Sequence, residues 1–191
     1  MRLILASGSP RRKELLEEAG LEFEIIPSPA EEIYDVSLGM TGLCEENARL
    51  KSSLIAKSNP GALVIGADTL VFIDNTPLGK PKDLDDAAAM LRKLSGRTHQ
   101  VCTGVCFSGP DGEETMIHGL TDVIFKDLSY ADIAAYLEKT NPLDKAGSYG
   151  IQDHGEMIVK CISGAFDNVM GLPVNMVLQK LKEIGLPIAQ R

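Results

Sequence analysis

The segment Ser7-Gly8-Ser9-Pro10-Arg11-Arg12 has the composition of an anion-binding turn. Ser9 is a favourable N-cap residue and Pro10 suits the first helical position, so we expect a helix to begin here. Free N–H groups at a helix N-terminus attract anions, and Arg11 and Arg12 would add donors for a phosphate. With no anion bound, the two cations oppose the helix dipole at about 0.3–1 kcal/mol each. The alternative is a capped helix with two solvated arginines.

Asp68 lies inside the apolar run from Leu63 to Ile73. A strand covered on both faces has this pattern, and a lone buried carboxylate needs a metal ion or a charged partner. Gly66 and Ala67 would leave room for another group to approach the backbone. Asp68 is therefore a candidate functional residue. The alternative is that the strand breaks here and Asp68 caps a turn.

Other polar residues beside predicted loops carry weaker signals. Gln152 could bind a base edge, because its amide both donates and accepts hydrogen bonds, although a surface turn is the simpler interpretation. No histidine has a nucleophile at a recognisable spacing, and the GxxxxGK[ST] and GxGxxG motifs are absent, so a catalytic triad and a P-loop are disfavoured. The acidic pair and the lysines would each be interpreted singly as solvated: Glu31, Glu32, Lys51, Lys80 and Lys145.

Strand and helix patterns alternate in the first half of the chain, and an antiparallel pair follows around the turn 109–112. This combination predicts an α/β protein with a mixed sheet. Strands are predicted at 1–6, 23–26, 62–73, 98–107, 113–125 and 158–162. Helices are predicted from Pro10 to a stop at Gly20 and at 41–58, 84–94, 131–137 and 174–184, with loops at 27–39 and 77–81.

The composition excludes several classes of protein. The 191 residues carry a formal net charge of −8, which argues against a protein that coats DNA or RNA. No apolar run approaches the roughly 18 residues of a membrane span, so we expect a soluble, intracellular protein. The four cysteines are scattered and are expected to be reduced thiols.

Six blocks, taken in order, resemble the Maf family of nucleoside triphosphate pyrophosphatases. The resemblance implies one domain over residues 1–191 and cleavage between the α- and β-phosphates, giving a nucleoside monophosphate and pyrophosphate. It also implies an elongated mixed twisted sheet with flanking helices and a central cleft between two lobes, similar to the inosine triphosphate pyrophosphatases. The blocks are Leu5-Ala6-Ser7-Gly8-Ser9-Pro10-Arg11-Arg12, Gly66-Ala67-Asp68-Thr69, Gly79-Lys80-Pro81, Leu94-Ser95-Gly96-Arg97-Thr98-His99, Asp144-Lys145-Ala146-Gly147-Ser148-Tyr149-Gly150-Ile151-Gln152 and Val169-Met170-Gly171-Leu172-Pro173.

The same resemblance implies roles for individual residues. Asp68 matches the family's proton acceptor. Followed by Thr69, it resembles the branch that acts on dTTP and UTP, whereas the branch for 7-methyl-GTP resembles Asp-Gln here. Arg12, Thr69 and Gln152 match the positions that set base preference. Many members have Gly directly after Gln, but here Gln152 precedes residues 153–155, Asp-His-Gly, which could alter the loop beside the base.

A triphosphate is strongly anionic, so local cations must bind it in an acidic protein. We expect Mg²⁺ or Mn²⁺ to be held by Asp68 and either Glu31 or Glu32, and Asp68 to accept a proton from the metal-activated water. The helix N-terminus after Ser9 would bind one phosphate. Five basic side chains would supply the remaining positive charge: Arg11, Arg12, Lys51, Lys80 and Lys145.

Two other functions fit the same residues. One is a non-catalytic nucleotide-binding regulator of cell division, since members of the family have been linked to septum formation. The other is the same chemistry on modified nucleotides. A regulator needs the cations but no carboxylate near the α-phosphate, so Asp68 discriminates between binding and hydrolysis. We expect a nucleotide as partner, no nucleic acid polymer and no membrane, a cytoplasmic location and a possible homodimer.

Overall fold

The computed structural model describes residues 1–186, so the last five residues of the predicted domain lie outside the described residues. The described strands are β1 (Arg2–Leu5), β2 (Glu24–Ile25), β3 (Ala62–Ile73), β4 (Thr76–Leu78), β5 (Thr98–Ser108), β6 (Glu114–Phe125) and β7 (Val159–Ser163). The described helices are α1 (Pro10–Glu18), α2 (Gly39–Ser58), α3 (Leu84–Leu94), α4 (Tyr130–Lys139), α5 (Gly155–Ile158), α6 (Phe166–Met170) and α7 (Val174–Ile184), with short 3₁₀ helices at Val36–Leu38 and Ala146–Ser148.

The strands form one mixed sheet in the order β2-β1-β3-β5-β6-β7, with β4 also paired to β3. Strand β1 runs parallel to β2 and β3, whereas the β3–β4 and β6–β7 pairs are antiparallel. This confirms the predicted α/β class with a mixed sheet and flanking helices. The cysteines are free thiols, as predicted. Within residues 1–186, no helix combines the length and apolar character needed to cross a bilayer.

The chain divides into two compact units that are interleaved in sequence. The first contains residues 1–68, 103–119 and 171–186, and the second contains residues 69–102 and 120–170. A small core in the first unit joins Ile4 and Val64, which face each other in the parallel register, to Ile55 of α2. The core of the second unit includes the buried rings of Phe125, Tyr136 and Tyr149.

Helix α2 packs very closely against the sheet in the first unit, because two strand glycines leave room for its backbone. A Cβ atom on Gly66 would come within 2.7 Å of the Ser52 nitrogen and closer still to the Ala48 carbonyl oxygen. A Cβ atom on Gly104 of β5 would come within 2.5 Å of the Cys44 carbonyl oxygen. The room expected beside Gly66 is therefore filled by the helix itself.

One predicted element was wrong, and another is displaced by one residue. The loop predicted at 77–81 begins inside a strand, because Thr76–Leu78 form β4 and pair with β3 through Val71 and Leu78. The strand predicted at 158–162 begins one residue late, since the chain first makes the short helix α5. Neither short element is long enough to show a periodic pattern in the sequence.

Candidate active site

Asp68 sits in an uninterrupted strand and is buried, which excludes the alternative of a broken strand with a turn-capping aspartate. Its Oδ1 atom accepts a hydrogen bond from Lys51 Nζ at 2.6 Å, and its Oδ2 atom accepts one from Asn47 Nδ2 at 3.2 Å. The Asp68 side chain is 5% exposed and the Lys51 side chain 13% exposed. The buried carboxylate therefore has the cationic partner that its surroundings require.

Lys51 also joins Asp68 to a second carboxylate. Its ammonium donates to Glu32 Oε1 at 2.7 Å, so the Lys51 nitrogen is hydrogen-bonded to both acidic side chains. The Tyr34 hydroxyl donates to Glu32 Oε2 at 3.4 Å, and burial and the charges of Glu32 and Asp68 raise the pKa of Tyr34. Of the predicted acidic pair, Glu32 thus lies in the cluster, whereas Glu31 is exposed to solvent.

Arg12 is a buried side chain rather than a solvated one. Its Nε atom donates to the Gly171 carbonyl oxygen at 2.8 Å, and one terminal nitrogen donates to Ser7 Oγ at 3.1 Å. Burial lowers the pKa of Arg12, while the negative charges of Asp68 and Glu32 act in the opposite direction. These contacts hold the guanidinium of the first predicted motif within the electrostatic field of the Asp68 cluster.

Helix α1 begins at the predicted position, but the predicted N-cap residue makes no capping hydrogen bond. Ser9 occupies the N-cap position, and its side chain makes no capping hydrogen bond; its own N–H donates to Ser7 Oγ at 3.3 Å. Arg11 is partly buried, and its charge contributes to the lowered pKa of Arg12. The first unit therefore carries seven of the predicted site residues: Ser9, Arg11, Arg12, Glu31, Glu32, Lys51 and Asp68.

Asp68 and Glu32 are the residues of this cluster that could bind a hard divalent cation. Asp68 and Glu32 direct oxygen atoms at a common cationic group, Lys51 Nζ, and oxygen is the ligand that Mg²⁺ and Mn²⁺ prefer. Within residues 1–186 no three His, Cys, Asp or Glu side chains gather into a preformed metal site. The protein would thus contribute about two carboxylates, which suits an ion whose other ligands are water and substrate phosphates.

In the second unit, the structure brings two of the predicted basic blocks together. The Gly147 N–H donates to the Gly79 carbonyl oxygen at 3.1 Å, so the loop before Lys80 lies against the 3₁₀ helix that follows Lys145. Gly147 has a φ of 68°, and a Cβ atom there would come within 3.0 Å of Val71. Lys80 itself is exposed.

Lys145 is buried, and its ammonium makes two hydrogen bonds and a further ion pair. Its ammonium donates to the Asn141 carbonyl oxygen at 2.5 Å and to Asp144 Oδ1 at 3.1 Å, and it lies 3.2 Å from Asp153 Oδ2. A Cβ atom on Gly150 would come within 2.9 Å of both Lys145 and Asp153, so the glycine permits this arrangement. Three oxygen atoms therefore surround the ammonium group, two of them as hydrogen-bond acceptors.

Lys145 lines a cavity of about 430 Å³ in the second unit, together with Gln152 and the two residues that follow it. Gln152 is exposed, and Thr69 is partly buried in β3. Asp153 therefore provides an ion-pair partner for Lys145, and Asp153 and His154 form part of the cavity wall. His154 has the unusual left-handed φ of 55°.

Two residues of the site were missed by the sequence analysis. Asn47 contacts Asp68 directly, and Ser7 contacts Arg12. A signal for Asn47 was present: it precedes Lys51 by four residues, so the two share one face of a helix. Ser7 lies in the first motif, but its spacing gives no indication of a contact with Arg12.

Comparison with known proteins gives several relatives over nearly the full chain, each called a dTTP/UTP pyrophosphatase. The protein from Akkermansia muciniphila is 49% identical over 183 residues, with 96% of each chain covered. The protein from Bacillus velezensis is 48% identical, with 97% of each chain covered, and the one from Aquifex aeolicus is 44% identical with the same coverage.

Similar solved structures share the fold. The Staphylococcus aureus Ham1 protein matches 96% of this chain and 100% of its own, with a TM-score of 0.58 and 19% identity. A HAM1 protein from Coxiella burnetii matches 96% and 99%, with a TM-score of 0.54 and 16% identity. The family described as Maf-like protein matches residues 2–184. Together with the relatives above 40% identity, that match shows that this chain belongs to the Maf family.

Proposed function

We propose that this chain hydrolyses dTTP and UTP between the α- and β-phosphates, releasing the nucleoside monophosphate and pyrophosphate. The observation that carries the proposal is the shared name of its relatives, which are 43–49% identical over almost the whole chain. The geometry of the first unit supports it, because a buried carboxylate stands beside a lysine and an arginine that suit an anionic substrate. The predicted cytoplasmic location would give such an enzyme access to the nucleotide pool.

In the proposed mechanism, Asp68 orients the attacking water and accepts its proton. Proton transfer requires the acceptor to lie within about 2.6–3.2 Å of the water, so the direction of the carboxylate must be fixed. The contact with Lys51 at 2.6 Å fixes Oδ1. Lys51 thereby holds the proton acceptor while presenting a positive charge to the substrate.

The remaining cations would bind the phosphates and stabilise the charge that develops in the transition state. Arg12 is hydrogen-bonded to Ser7 and Gly171 in the absence of substrate. Its side chain is therefore already ordered, and substrate binding need not pay the conformational entropy of ordering it. Arg11, Lys80, Lys145 and the helix N-terminus after Ser9 are proposed as further phosphate ligands. Arg12, Thr69 and Gln152 are proposed to determine base preference.

Asp68 and Glu32 are the residues that would hold a divalent cation, with Glu31 as the remaining candidate. A bound Mg²⁺ or Mn²⁺ would neutralise phosphate oxygens and lower the pKa of the attacking water. Glu32 also keeps Lys51 in place through the contact at 2.7 Å.

The test is an assay of the purified protein with Mg²⁺ or Mn²⁺ and separate nucleotides: dTTP, UTP, CTP, GTP, ATP and 7-methyl-GTP. Monophosphate and pyrophosphate are measured together, because their equal release identifies cleavage at the α-β bond. The matched variant is Asp68→Asn, which keeps the shape of the side chain and removes its ability to accept a proton. We expect turnover of dTTP and UTP, and a fall in kcat of at least about 100-fold in Asp68→Asn.

Three other outcomes of this assay would each change a different part of the proposal. Release of pyrophosphate from 7-methyl-GTP alone would retain the chemistry and overturn the assignment of the substrate. Binding of nucleotides without turnover would favour the regulator of cell division. Full activity in folded Asp68→Asn would show that another group accepts the proton.

A further inference from the structure

Asn47 makes contacts that the proposed chemistry has not yet used. It lies on α2, one turn before Lys51, and is 1% exposed. Its Nδ2 atom donates to Asp68 Oδ2 at 3.2 Å and to the Ile33 carbonyl oxygen at 3.1 Å, and its Oδ1 atom accepts from the Ile33 N–H at 2.8 Å. One side chain thus joins the helix, the central strand and the loop that carries Glu32.

The orientation of this amide is determined by its partners. The Ile33 N–H can only donate, so it must face Oδ1 of Asn47. The NH₂ group then faces Asp68, where it meets an acceptor. Reversing the amide would set two donors against each other and two acceptors against each other, so the hydrogen bonds support a single arrangement.

The contacts form a closed circuit. Asn47 holds Oδ2 of Asp68, Lys51 holds Oδ1, and the same lysine holds Glu32, which directly precedes Ile33 in the chain. Ile33 returns to Asn47 through both of its backbone groups. Because Asn47 and Lys51 are four residues apart on one helix, a single rigid element grips both oxygens of the carboxylate.

We propose that Asn47 is a positioning residue for the pyrophosphatase reaction. It anchors Oδ2 of Asp68, so that Oδ1 is the oxygen presented to Lys51 and to the attacking water, and it fixes the loop that carries Glu32. This inference rests on the proposed function. Lys51 alone would fix only Oδ1 of Asp68. The neutral amide of Asn47 fixes the second oxygen and thereby sets the orientation of the carboxylate.

The test compares Asn47→Asp and Asn47→Ala with the control Ser52→Ala. Asn47→Asp keeps an acceptor for the Ile33 N–H but places a carboxylate against Asp68, whereas Asn47→Ala removes all three hydrogen bonds. Ser52 is also buried on α2, and it bonds to Ser108 and to the Arg49 carbonyl oxygen rather than to Asp68. Its loss weakens the same helix without touching the carboxylate.

The measurements are kcat and KM for dTTP and the midpoint of thermal unfolding. We expect kcat to fall about 100-fold in Asn47→Asp, with KM within about threefold of the wild type, because orientation affects the chemical step more than binding. Ser52→Ala should lose stability and keep its kcat within about twofold. The inference is supported if Asn47→Asp loses kcat while its midpoint of thermal unfolding is no lower than that of Ser52→Ala. In that case the loss of activity comes from the orientation of Asp68 and not from general destabilisation.

A wild-type kcat in folded Asn47→Asp would overturn the inference. Where Asn47→Ala does not fold, Asn47→Ser provides the second variant, since its hydroxyl can donate to only one of the two acceptors that Asn47 serves. It should retain less than about a tenth of the wild-type kcat. A wild-type protein that releases no pyrophosphate would instead contradict the proposed function. A crystal structure of Asn47→Ser then still tests the positioning, because an unchanged Asp68 carboxylate would contradict it.

Discussion

Two buried charged residues, Asp68 and Lys145, are compensated in different ways. Asp68 is compensated by one cation and one neutral amide, whereas the ammonium of Lys145 is surrounded by three oxygen acceptors. The apolar run around Asp68 indicated that it needed a metal ion or a charged partner, but nothing in the sequence identified Lys51 as that partner. Seventeen residues separate the two in sequence, and no local pattern relates a helix to a strand at that distance.

The acceptors of Lys145 predict how its neighbours affect substrate binding. To bind a phosphate, Lys145 must release one of them, and Asp153 competes for the same ammonium. We expect Asp153→Asn to lower KM for dTTP about two- to fivefold, and Lys145→Met to raise KM at least tenfold. Steady-state kinetics at fixed metal concentration measure both effects.

Glu156→Gln is the control for this pair of variants. Glu156 lines the same cavity and is strongly exposed, and its carboxylate lies 3.5 Å from His154 Nδ1. Removal of its charge should change KM less than removal of the charge on Asp153. If the KM of Lys145→Met equals that of the wild type, Lys145 does not bind the substrate and serves only to hold residues 141–153 together.

At the scale of secondary structure, the predictions succeeded where the local signal was strong. Helix α3 has the predicted bounds 84–94, and its N-cap residue Asp83 accepts a hydrogen bond from the Asp86 N–H. Strand β3 ends where the apolar run ends. Strand β4 was missed because three residues around Pro77 resemble a turn, and α5 was missed because it follows His154 in a left-handed conformation. Sequence blocks contain most of the candidate site residues, but the contacts of Asp68 depend on the packing of α2.

That packing makes Gly66 a sensitive position. An added methyl group would collide with the backbone of α2, which carries Asn47 and Lys51. We expect Gly66→Ala to lower the free energy of unfolding by about 3 kcal/mol or more and to reduce kcat at least tenfold. Chemical denaturation and the pyrophosphate assay measure the two effects.

Gly42→Ala provides the comparison within the same helix. Its Cβ atom would meet only Leu38 at 3.5 Å, an ordinary contact, and alanine favours a helix over glycine. This variant should be unchanged or stabilised by about 0.5–1 kcal/mol, with unchanged kcat. An active and stable Gly66→Ala would show that α2 can move without disturbing Asp68.

At the scale of the whole molecule, a buried histidine makes stability depend on pH. His99 Nε2 lies 2.7 Å from the hydroxyl of Tyr149, and its ring packs edge-on against Phe125. Burial lowers the pKa of His99 to about 4 and raises the pKa of Tyr149, so this hydrogen bond joins a neutral imidazole to a neutral phenol. In the unfolded chain the imidazole takes up a proton near its usual pKa of about 6.5.

The contribution of His99 is therefore present above about pH 6.5 and is lost as the pH falls toward 4, because only the unfolded state binds the proton in that range. The shift corresponds to about 3 kcal/mol of unfolding free energy. We expect His99→Gln to lose less stability than the wild type between pH 7 and pH 4.5. Denaturant titrations at both pH values give the comparison, with His118→Gln as the exposed-histidine control. Equal losses in the wild type and His99→Gln would contradict this assignment.

The chain passes from one compact unit to the other at residues 68/69, 102/103, 119/120 and 170/171. Neither unit is therefore encoded by a continuous stretch of the gene, and no single cut of the sequence yields either one intact. Recombination could not exchange a unit as a module in the way that it shuffles end-to-end domains. Asp68 and Thr69 stand at the first of these crossings, so the proposed proton acceptor and a base-specificity candidate are inherited on adjacent codons.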